Sequence, residues 1–158
     1  MLIAHMPAGY IIAKAFKLEK KPAIILSMVF SVWPDLGLIY FYLVDSSVSH
    51  RNFPPHLPAL MASAFLVTLP LSRMKFFEKL RTYHALFFAN WLAHLALDTF
   101  TERIFWLRPL SDRGFQLIEI PAVFGHWIAS FVLHWSFVAE LAIVAIALTI
   151  FLRAGRRK

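Results

Sequence analysis

The chain has 158 residues, 59% of them hydrophobic and only 16% charged, with a mean hydropathy of +0.65. That apolar share is more than a soluble domain of this size can cover, so the composition points to a membrane protein. The formal charge of +7 would suggest nucleic acid in a soluble protein, but the basic residues sit in short clusters between apolar blocks, so no nucleic-acid partner is expected. No cysteine is present, which excludes disulfides and thiolate metal sites.

Five apolar blocks follow one another. The first, Leu2 to Phe16, has its lysines after the apolar run, unlike a cleavable signal peptide, and is read as part of the mature protein. It is short for a hydrocarbon core of about 30 Å crossed at about 1.5 Å per residue, and is expected to be tilted or half-buried. The second, Pro22 to Val44, can span. Pro34 within it lacks an amide donor and obstructs the carbonyl of Phe30, which predicts a kink that turns Asp35 into the bundle; an ordinary helix break would carry the same Pro-Asp pair. The third block, Leu57 to Leu71, is short like the first, and the fourth runs from Tyr83 to Phe100. The last, Pro121 to Leu152, is too long for one span, so Pro121 to Ser130 is expected at the interface and a span from about Phe131 to Leu152. The fold class expected is an all-α integral membrane protein. Residues 1–158 would form one compact bundle of about five transmembrane or half-buried helices, with a cytoplasmic basic tail at 153–158 and membrane lipids as surroundings. The sequence leaves the oligomeric state open.

Positive charge falls on alternate connections. Lys14, Lys17, Lys20 and Lys21 form one cluster, Arg73, Lys75, Lys79 and Arg81 a second, and Arg153, Arg156, Arg157 and Lys158 a third. The positive-inside rule assigns all three to the cytoplasm, with the N-terminus outside and the C-terminus inside. A re-entrant first segment would move only the N-terminus.

With the blocks oriented in this way, His5, Asp35, His50, His56, His94 and Asp98 fall toward the outer end of the bundle. An ionisable group inside a span costs roughly 2.5 to 3.5 kcal/mol on insertion scales, so Asp35 needs a cavity, a partner or a metal. His94 and Asp98, four residues apart, share one helix face, where they could hold one ion, bind two adjacent ions, or simply pair with each other at the helix end. Imidazole and carboxylate without thiolate suit a divalent metal, zinc first, with manganese and iron compatible. The metal ligands expected are His5, Asp35, His50, His56, His94 and Asp98. Asp35 and His56 are also candidates for acid-base work, and Arg51 for holding an anionic substrate group, unless it pairs with Asp45. His84 lies at the opposite end of its block. His126 and His134 could line the cavity or belong to an aromatic belt with Trp127 and Trp135, and Glu140 could line the cavity or bond a neighbouring helix.

These residues resemble the YdjM-like family of bacterial inner-membrane metal-dependent hydrolases over roughly residues 1–112. The pieces are His5 with Gly9, Pro34 with Asp35, His50 and Arg51 with His56, and His94, Asp98 and Thr101 followed by Trp106 and Pro109. The family's Pro-Asp-x-Asp has Gly37 here in place of the second acid, and the His50 to His56 loop is one residue longer than the family's. The resemblance implies the inner membrane and a metal-dependent hydrolase; the position of the residues just below the outer membrane surface suits a phosphoester or lipid-linked substrate. The alternative is a non-catalytic membrane protein in which the same residues hold a structural metal or form a polar network.

Overall fold

A computed structural model describes residues 1, 3–45, 47 and 52–156. The site calls on His50 and Arg51 therefore lie outside the described residues.

Helix α1 (His5–Ala15) and helix α2 (Lys21–Ser31) form an antiparallel hairpin whose tight contact is written in small residues. The buried positions are His5, Gly9 and Ala13 on α1 and Ala23, Ser27 and Ser31 on α2, each set spaced by four. A stripe of this kind lets two backbones approach closely, as in membrane helix pairs. The Ser27 hydroxyl donates to the carbonyl of Gly9 at 2.8 Å, and a Cβ at Gly9 would fall 2.8 Å from the Met28 Cα.

The second apolar block breaks where Pro34 stands. A 3-10 turn, Trp33–Asp35, follows α2 and leads into α3 (Leu36–Leu43), bent by 51° from α2. A second 3-10 turn, Pro54–His56, packs against the first and enters α4 (Pro58–Arg73). A third, Lys75–Leu80, reverses the chain into α5 (Arg81–Thr101), the long central helix that meets α1, α2 and α4. Its buried residues Leu86, Asn90, His94 and Asp98 form a stripe spaced by four, with Trp91 and Leu95 beside it. Asn90 ties the centre together, donating to the Ser27 hydroxyl at 3.0 Å and to the Leu86 carbonyl at 2.8 Å.

After α5, the segment from Glu102 folds back over the helix end. Ile104 and Phe115 exchange two backbone hydrogen bonds, and the amides of Leu117 and Ile118 donate to the carbonyls of Thr99 and Phe100, satisfying last-turn acceptors. A short helix, α6 (Trp127–Val132), precedes α7 (Phe137–Gly155), which packs on α1.

The described residues are thus all-helical, with seven α-helices and no strand. This exceeds the expected five because two apolar blocks each divide in two. The second divides at Pro34. The last divides at a turn through His134 and Ser136, so its long helix starts at Phe137 and not near Phe131. Of the seven helices, α7 alone is long and apolar enough to cross a membrane; the bent pairs α2–α3 and α4–α5, if each is one span, raise the number to three.

Candidate metal centre

Three chain segments deliver four side chains of ligand type to one point. His94 and Asp98 come from the last turns of α5, Asp35 from the turn after α2, and His56 from the turn before α4. One ligand atom from each of these four lies within 4.8 Å of the others. His94 Nε2 is 3.0 Å from Asp98 Oδ2 and 3.6 Å from Asp35 Oδ1, and His56 Nε2 is 3.6 Å and 3.9 Å from the same two oxygens. Ligands at roughly 2.0 to 2.2 Å from a tetrahedral ion would be about 3.3 to 3.6 Å apart. The group could therefore hold a metal ion. His56, His94 and Asp98 are buried, whereas the Asp35 side chain is 28% exposed and forms the open side of the group.

His94 and the turn that carries His56 are held from behind. The Nδ1–H of His94 donates to the Ser31 carbonyl at 2.7 Å, which orients the ring and leaves Nε2 facing the carboxylates. Although Nε2 lies 3.0 Å from Asp98 Oδ2, it makes no properly directed hydrogen bond. A ring nitrogen and carboxylate oxygens brought this close in a buried site can share a proton or a metal cation. Trp91 donates its indole N–H to the Pro55 carbonyl at 2.6 Å, anchoring the turn that presents His56.

His5 stands beside the four rather than among them. Its ring stacks on His94 at 3.8 Å between centroids, and its Nε2–H donates to Asp98 Oδ1 at 3.1 Å, while its Nδ1 is buried with no hydrogen-bond partner. The Met1 amino group also donates to Asp98 Oδ1. The two oxygens of Asp98 are thereby divided, Oδ1 toward His5 and Oδ2 toward His56 and His94.

The remaining candidates take other places. Glu140 is fully buried in the first turn of α7, where Oε2 accepts the backbone N–H groups of Ile3 and Ala4 and so fixes the start of α1 just before His5. It is a helix-start acceptor, a role the late beginning of α7 makes possible. His126 Nδ1 accepts the amide of Ile128 at the start of α6. His134 hydrogen-bonds Ser136 in the turn before α7. Neither lines the site. His84 pairs with Thr68 between α4 and α5, far down the bundle. Asp45 accepts the amide and hydroxyl of Ser47, which hold its carboxyl below the usual carboxylate range.

Comparison with models of known families, with curated proteins and with solved structures finds no match to this chain.

Proposed function

We propose that the chain is a multi-pass inner-membrane protein whose four-ligand centre binds a divalent metal, zinc first, and carries out hydrolysis near the outer membrane face. The observation that carries this reading is His94: one ring nitrogen is tied to a backbone carbonyl and the other faces Asp35 and Asp98 without a directed hydrogen bond. A metal-binding histidine is held in this manner, its second nitrogen oriented from behind. The likeness to the YdjM-like hydrolases in His5, Asp35, His94 and Asp98 supports the same reading.

When bound, a divalent ion supplies Lewis acidity and brings the ionisation of water toward about pH 7. The chain's own groups then have separate tasks. Asp98 divides its oxygens between the histidines on either side. Asp35, open on one side, is placed to receive a proton from water or to meet the substrate. His56, on its separate turn, is positioned to hold the opposite side of the group or to return a proton to the leaving oxygen.

The orientation follows from charge. His5 and Glu140 lie at the starts of α1 and α7, and Asp35 and Asp98 at or beyond the ends of α2 and α5, while the described members of the three basic clusters lie at the other ends of these helices. With the positive ends in the cytoplasm, the centre lies toward the opposite face.

The test is metal analysis of detergent-purified protein under non-chelating conditions, wild type beside His94→Ala and Asp98→Ala, followed by a screen of phosphoester and lipid substrates. The expected result is about one divalent ion per chain in wild type and loss of it in both variants with helical content kept. Wild type without metal overturns the reading. Metal without hydrolysis of any substrate would leave a structural site.

A further inference from the structure

Asp35 opens onto a cleft of about 590 Å³, within the size range of sites for small molecules. One wall is α3, through Leu38, Phe41 and Tyr42; the other is α6, through Trp127 and Phe131. Its polar lining is unusual in sign. Asp35, Glu102 and Glu119 contribute carboxylates, Gln116 an amide and Met1 its amino group, which lies 3.6 Å from Glu102; among the described residues no lysine, arginine or histidine side chain lines the cleft. Thr101 also lines the cleft; its hydroxyl is buried with no hydrogen-bond partner, a state that normally costs about 1 to 3 kcal/mol and that an occupant would relieve. The chain on both sides of the mouth is apolar and exposed: Leu43 and Val44 on the α3 side are 79% and 69% exposed, and Val123 and Phe124 on the other are 69% and 46%. Such a mouth meets lipid more readily than water.

We propose that this cleft binds a zwitterionic, amine-headed amphiphile as the substrate of the adjoining centre. Its acyl chain lies along Leu38, Phe41, Trp127 and Phe131. Its ammonium group meets Glu119, and an oxygen of its head accepts the Thr101 hydroxyl beside Asp35. Lipids of net negative charge are disfavoured, because their heads would enter a cleft where three carboxylates face one amino group, that of Met1, among the described residues. The choice of substrate rests on the reading of the centre as catalytic; binding in the cleft does not require it.

The experiment is native mass spectrometry of the protein in maltoside micelles with equal amounts of phosphatidylethanolamine and phosphatidylglycerol of matched chains, with metal content measured on the same samples. One phosphatidylethanolamine retained in preference to phosphatidylglycerol is expected. Glu119→Arg, at an exposed position, should reduce that preference by about twofold to fivefold, the range of an exposed ion pair. Ala122→Trp, also exposed and lining the cleft, should fill it and abolish retention, and Glu78→Arg at the other end of the bundle should change nothing. Equal retention of both lipids, preference for the anionic one, or retention undiminished in Ala122→Trp overturns the proposal. Lipid retention without metal would support the cleft and remove the catalytic centre, whereas metal without lipid retention would do the reverse.

Discussion

The Nδ1–H of His94 reaches the carbonyl of Ser31 because no amide of its own helix takes that carbonyl. Four residues on, the amide of Asp35 donates to Val32 at 3.1 Å, in the i to i−3 pattern of a 3-10 turn, and leaves the Ser31 oxygen to the histidine. Pro34 is the cause, since without an amide it cannot continue the α-helical ladder of α2. One proline therefore both turns Asp35 toward the centre and frees the acceptor that orients His94.

From this follows the effect of Pro34→Ala. With an amide restored at position 34, α2 can continue, and the Asp35 N–H competes with His94 for Ser31. Metal affinity is expected to fall about 10- to 100-fold, as when an orienting partner of a ligand is lost, with helical content unchanged or slightly raised. A metal titration against a competing chelator checks it, and unchanged affinity would refute the mechanism.

Gly9→Ala tests the small-residue contact. The added Cβ would lie 2.6 Å from the Ser31 hydroxyl, 2.8 Å from the Met28 Cα and 2.9 Å from the Ser27 carbonyl, and two of those neighbours are backbone that cannot swing aside. Separating α1 from α2 should cost about 1 to 3 kcal/mol, seen as a lower thermal midpoint in detergent. Because Ser31 belongs to the displaced helix, metal affinity should fall with it.

Much of this was legible in the chain. Charge alternation put Asp35, His56, His94 and Asp98 at one end, where they come together, and Pro34 marked a real break. The small residues at 9, 13, 23, 27 and 31 were a readable signal of close helix contact that charge and hydropathy alone pass over. Other features were not legible. That His5 lies behind Asp98 rather than among the four depends on ring stacking against His94, a contact across 89 positions of sequence that no local spacing encodes. Glu140 looked deep within a span because an apolar run hides the turn at His134 to Ser136, where side-chain hydrogen bonds and not polarity end the helix. The backbone groups that Glu140 accepts carry no sequence signature at all.

Glu140 itself gives the next expectation. Glu140→Leu would leave the amides of Ile3 and Ala4 without their carboxylate, at about 1 to 3 kcal/mol for each buried group, and the start of α1 should fray. Glu140→Gln keeps an acceptor oxygen of the same reach and should retain most of the stability. Amide hydrogen exchange at Ala4 and His5 distinguishes the two, rapid in the leucine variant and slow in the glutamine variant. Equal protection in both would show that Glu140 does not hold the helix start.

The histidines supply their own controls. Removing His56 takes away a member of the four-ligand group, so His56→Ala should lose metal as His94→Ala does. His84→Ala, His126→Ala and His134→Ala should keep it, because these rings serve Thr68, the Ile128 amide and Ser136. Metal lost in any of these three would place the centre elsewhere.

Orientation can be read directly, because the chain contains no cysteine and any single cysteine is a unique label. Asp112 is exposed in the segment that folds over the end of α5 beside the centre, whereas Lys20 and Lys79 are exposed at the far ends of α2 and α5. With the basic ends held in the cytoplasm by the positive-inside rule, a membrane-impermeant maleimide added to spheroplasts should label Asp112→Cys at once. Lys20→Cys and Lys79→Cys should react only after the membrane is permeabilised. The opposite pattern would turn the centre, and the cleft beside it, toward the cytoplasm.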